Sequence, residues 1–68
     1  MAIIVNTSVD DISSSLRLIN PKTGYDIRED ITMLNHNLAY EAKNKNRTAV
    51  LKLLRAKINK IKKLKPGR

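Results

Sequence analysis

Residues 38–54 read Leu38-Ala-Tyr-Glu-Ala-Lys-Asn-Lys-Asn-Arg-Thr-Ala-Val-Leu-Lys-Leu-Leu54, and the phase of the apolar residues on either side of the polar middle decides the fold. Upstream, Ile27, Ile31, Leu34, Leu38 and Ala42 recur at spacings of 4, 3, 4 and 4, the period of one face of an α-helix. If that helix ran on at about 100° per residue, positions 45 and 52 would face the same core. Both are lysine. The apolar residues that follow are Val50, Leu51, Leu53, Leu54, Ile58, Ile61 and Leu64. They centre about 170° away around a continued helix. One straight helix cannot bury opposite faces against one core. A turn at Asn44-Lys45-Asn46 resolves the conflict and predicts a helical hairpin of about 27–43 and 48–64. Asn46 or Thr48 would cap its second arm, and Pro66-Gly67 would end it. The competing arrangement is one long helix whose two ends engage different partners, as in an interlocked oligomer.

Before the hairpin, Asp26-Ile-Arg-Glu29 has the form of a capping box, with Asp30 adding a further early carboxylate. Earlier still, Ser8-Val-Asp-Asp11 reads as a helix start, with its acids placed where the helix dipole favours them. Val9, Ile12, Leu16 and Ile19 follow on one face, and Asn20-Pro21 ends the run. The predicted class is therefore all-α: a small three-helix domain with a short N-terminal arm. The alternative is α+β. In it Leu16-Arg-Leu-Ile, Asn20-Pro-Lys-Thr-Gly24 and Tyr25-Asp-Ile27 form a β-hairpin at 16–27, with Gly24 at positive φ.

A chain of 68 residues makes one small domain, with 1–7 as the arm and 65–68 as a basic C-terminal tail. Domains this short bury only about 60% of their unfolded surface, so oligomerisation or a partner often adds stability. With no Cys, neither disulfides nor thiolate metal sites can do so. No apolar run approaches the roughly 20 residues of a membrane span, and Ala2 to Val5 is too short for a signal-peptide core. A cytoplasmic protein is expected.

Catalysis finds no foothold. His36, the one histidine, stands in Asn35-His36-Asn37 with no orienting partner in its spacing. Ser13-Ser-Ser15 has no base nearby in sequence, and helix capping accounts for Asp26, Glu29 and Asp30 without a cation. Gly24 and Gly67 are isolated, so no phosphate-cradling glycine loop exists. The expectation is no enzyme, no catalytic residue, no metal and no cofactor.

Charge is the informative quantity. Residues 1–42 hold Arg17, Lys22 and Arg28 against six acids, whereas residues 43–68 hold eleven Lys or Arg and no acid, within a net +8. Such asymmetry points to a polyanionic partner for the basic half. The residues expected to contact DNA or RNA are Lys43, Lys45, Arg47, Lys52, Arg55, Lys60, Lys62, Lys63 and Lys65. Cations a helical turn apart can follow a phosphate backbone and release counterions. Lys outnumbers Arg nine to five and the segment has no aromatic residue, which favours backbone contact over base reading or stacking. The helix-turn-helix spacing of small and apolar residues is matched poorly here. The function expected is thus a nucleic-acid-binding accessory or regulatory protein contacting phosphates through its C-terminal helix. The alternative is a helical adaptor, inhibitor or structural subunit that binds protein, or a second copy of itself, through the same amphipathic basic helix. Without Trp or Phe as an anchor, a membrane surface is disfavoured as the partner.

Overall fold

The computed structural model describes residues 3–64 and contains three α-helices, with no strand among the described residues. They are α1 (Val9–Leu18), α2 (Gly24–Lys43) and α3 (Thr48–Lys62). The all-α reading holds, and the β-hairpin alternative at 16–27 does not: Gly24 is the first residue of α2. The expected terminator Pro66-Gly67 and Lys65 lie outside the described residues, as do Met1 and Ala2.

The first two helices begin where the chain offers an oxygen for an orphan amide. In α1, Ser8 Oγ accepts the Asp11 N–H at 3.2 Å, Asp10 and Asp11 sit in the first turn, and Arg17 sits in the last. Ile12 and Leu16 are buried while Leu18, off the stripe, is exposed. Ile19 leaves the helix in an extended conformation ahead of Asn20-Pro21. The start of α2 corrects the expected capping box. Thr23, not Asp26, is the cap, and its Oγ1 accepts the Asp26 N–H at 3.1 Å. The helix therefore opens three residues earlier, with Asp26 in its first turn.

The hairpin turn lies where the phase reversal put it, and the single long helix is not formed. The Asn46 N–H closes back onto the Glu41 carbonyl at 2.6 Å, and Asn44 Nδ2 donates to the Tyr40 carbonyl at 2.7 Å. Asn46 has φ 50°, a left-handed conformation that Asn tolerates better than other residues with a Cβ. Neither Asn46 nor Thr48 caps α3. Arg47 occupies that position, with no side-chain cap bond of its own.

Both other helices pack against α3, which contributes Val50, Leu54, Ile58 and Ile61 to the core. Ile12 and Leu16 of α1, Ile27 and Leu34 of α2, and Val5 of the arm complete it. The α2 stripe differs from its sequence reading at the C-terminal end. Ala42 is exposed, whereas Asn37 and Glu41 are buried, because the inward face follows the seven-residue steps 27, 34 and 41.

Leu34 and Leu54 are fully enclosed, so Leu34→Asp or Leu54→Asp should abolish the helical circular-dichroism signal at neutral pH by burying an unpaired charge. Asn46→Gly should keep or slightly raise the melting temperature, since glycine takes positive φ freely, whereas Asn46→Val should lower it. Circular-dichroism melts of the four variants check both points.

Candidate functional site

At the hairpin turn a buried carboxylate and a guanidinium share a cluster of hydrogen bonds. Glu41 is only 1% exposed, an arrangement that needs full compensation for a carboxylate. Arg47 supplies it. Its Nε donates to Glu41 Oε2 at 3.0 Å, its Nη2 to Oε1 at 3.0 Å, and its backbone N–H to Oε2 at 2.9 Å. The same guanidinium donates from Nη1 to the Thr7 carbonyl at 2.9 Å and from Nη2 to the Val5 carbonyl at 2.7 Å. The hydrogen bonds from Arg47 hold the Glu41 carboxyl below its usual value, and the same bonds raise Arg47. A second tether lies one turn earlier, where Asn37 Oδ1 accepts the Ile4 N–H at 2.7 Å and Asn37 Nδ2 donates to the Met33 carbonyl at 2.8 Å. Together they hold the N-terminal arm against α2.

This clasp also explains the missing cap. No acid stands in the first turn of α3, and the Glu41 carboxylate, reaching over from α2, accepts the Arg47 amide at its N-terminus. A negative charge there is favoured by the helix dipole. Arg47, expected from the sequence to face a ligand, is therefore committed to the fold.

The other basic residues divide by direction. Lys43 and Lys45 are exposed at the end of α2 and in the turn. Lys52, Arg55 and Lys62 of α3 and its C-cap Lys63 are exposed and fall, with Asn59, within an arc of about 100° on a side apart from the buried residues. Lys60 is also exposed but turns toward α1, where it lines a groove with Arg17 and Lys57. Lys57, half-buried, is shifted down by burial and by Lys60, partly offset by Asp30. Asp30 is shifted up by burial and by Asp26 and Glu29, against the pull of Lys57. Among the described residues no carboxylate forms an ion pair with Lys52, Arg55, Lys60, Lys62 or Lys63.

His36 is exposed on α2, and no group of three His, Cys, Asp or Glu side chains converges among the described residues. No helix among them is long and apolar enough to cross a membrane. No protein-family model, curated protein or solved structure matches this chain.

Because Glu41 has a depressed pKa in the fold, its contribution to stability is complete above the unfolded value near 4.5 and fades as pH falls through the folded value. The melting temperature should therefore drop on acidification below about pH 4.5, and Glu41→Gln should melt lower at neutral pH with a shallower acid dependence over that window. Asp30, shifted the other way, contributes with opposite sign, and Asp30→Asn should steepen the parent's acid loss. Melts from pH 7 to 2.5 of parent and both variants test the assignment.

Proposed function

We propose that this protein is a nucleic-acid-binding accessory or regulatory factor that contacts phosphates through the outer face of α3 and the adjoining hairpin turn. The observation that carries the reading is the unneutralised row Lys52, Arg55, Lys62 and Lys63, exposed along one side of a helix whose other side is core. Lys52 and Lys63 lie eleven residues apart on nearly the same line, which corresponds to about 16 Å along the axis. Lys43 and Lys45 add charge at the other end of the hairpin arm. Residue types and geometry favour a contact read by charge and backbone shape. Lys acts as a point charge, and no aromatic side chain stands on this face for a base to stack on. Arg47 is left out of the proposed surface because its donors serve Glu41 and the arm. The role is that of a binding module, with no bond made or broken.

The test is binding to generic duplex DNA and RNA across a salt series of about 50 to 200 mM. On duplex DNA, log K should fall linearly with log salt, with a slope near −0.9 for each phosphate neutralised. Lys52→Glu with Lys63→Glu should weaken binding on every sequence alike and make that slope shallower, while helicity stays at the parent level. Absence of any complex at low salt, or parental affinity in the double variant, refutes the proposal.

A further inference from the structure

The groove between α1 and α3 is a separate feature from the outer face of α3. Its first part, a cavity of about 330 Å³, is lined by Ser13, Leu16 and Arg17 of α1 and by Leu53, Ala56, Lys57 and Lys60 of α3. A second cavity of about 240 Å³ shares Arg17, Lys57 and Lys60 and continues past Pro21 to Ile61 and Leu64. On α3 these positions are 53, 56, 57, 60 and 61, one continuous helical face, with Leu64 just past the helix end. From Leu53 to Ile61 it extends about 12 Å, or a little over two turns. The lining mixes apolar side chains, Leu16 and Leu53 in the first part and Ile19 and Ile61 in the second, with the cations Arg17, Lys57 and Lys60, and no acid lines either part.

We propose that this groove is a docking site for an acidic amphipathic helix of a partner protein, with apolar side chains toward Leu16 and Leu53 and carboxylates toward Arg17, Lys57 and Lys60. Two properties select that occupant. A phosphate backbone has no apolar face to set against Leu16 and Leu53, whereas a helix carrying leucines on one side and glutamates beside them matches both the apolar and the cationic lining. A second copy of this chain is disfavoured by its net charge of +8, and its exposed acids, Asp10, Asp11 and Glu29, sit near the starts of two different helices and form no acidic helical face. Lys57 adds a further reason. It is half-buried beside Lys60, and burial and that neighbour penalise its charge more than Asp30 favours it, so a further carboxylate relieves a remaining cost. The inference stands independently of nucleic-acid binding, because it uses a different face of α3.

The experiment is fluorescence anisotropy with a labelled synthetic peptide of about three helical turns, Leu at i, i+3/i+4 and i+7 with Glu between, against the same composition in scrambled order. Backbone amide shifts of the 68-residue chain are followed in parallel by NMR. The patterned peptide should bind about tenfold or more tighter than the scrambled one, a difference of about 1.4 kcal/mol. Its shifts should concentrate at Ser13, Leu16, Leu53, Ala56 and Lys60. Arg17→Glu with Lys60→Glu, and separately Ala56→Gln, should each weaken it about tenfold. Lys52→Glu with Lys63→Glu should leave the affinity within about twofold. Ala56 is exposed, so glutamine fills the groove without disturbing the core or the charge. The proposal is overturned by equal binding of both peptides, by no binding of either, by parental affinity in Ala56→Gln, by concentration-dependent self-association of the free protein, or by duplex DNA displacing the peptide from the groove.

Discussion

The buried carboxylate of Glu41 is the constraint around which the rest of this domain is arranged. A charge enclosed in so small a core is tolerated only where its oxygens are met, and one residue, Arg47, meets both. That requirement fixes the distance between the last turn of α2 and the first residue of α3. The turn can then be only a few residues long and must place one of them, Asn46, at positive φ. The remaining donors of the guanidinium take the carbonyls of Val5 and Thr7, which seats Val5 in the core. Burying an ion pair contributes little net stability compared with apolar packing of equal volume. Its effect here is on geometry: one hydrogen-bonded centre sets the hairpin angle, starts α3 and anchors the arm.

The sequence made the architecture legible because apolar periodicity carries a phase. Lys45 and Lys52, standing where a continued α2 would need core residues, were enough to place the turn. Caps were read less well. Asp26 with Glu29 looks like a box in isolation, but Thr23 offers a hydroxyl three residues ahead of the Asp26 amide, and the helix begins there. Asn37 and Glu41 escaped notice because polar residues count as outward in any pattern built on hydrophobicity. The seven-residue steps from Ile27 through Leu34 to Glu41 were the available signal, since they mark position 41 as inward whatever its polarity. Nor does composition reveal that Arg47 differs from its basic neighbours. Only the tertiary placement of Glu41, six residues back in the chain, removes it from the surface set.

Three faces of α3 now have distinct environments. Val50, Leu54, Ile58 and Ile61 face the core, and Lys52, Arg55, Lys62 and Lys63 face solvent. Leu53, Ala56, Lys57 and Lys60 line the groove beside α1. A division of residues into apolar and polar resolves only two sides of a helix, and the sequence accordingly presented one basic face where the fold makes two. Lys60 moves from the solvent face to the groove because it stands about 80° from Lys52 around the helix axis, toward the side occupied by Arg17.

Concentrating eleven cations into the last 26 residues without an acid has an energetic consequence for the fold itself. Like charges on a compact domain repel, and a domain of this size has only a few kilocalories of stability to oppose them. The structure limits the cost by pairing Arg47 with the buried Glu41 and leaving Lys43, Lys45, Lys52, Arg55, Lys60, Lys62 and Lys63 exposed, where water and salt screen them. Lys57 is half-buried next to Lys60, and burial and that neighbour penalise its charge. Whatever polyanion settles on either basic face of α3 removes part of that repulsion in the folded state, and a ligand that favours the folded state raises its stability in proportion to the logarithm of its concentration. On the proposed reading, binding and folding would be coupled through the same lysines, and a bound anion would gain part of its affinity from the repulsion it relieves.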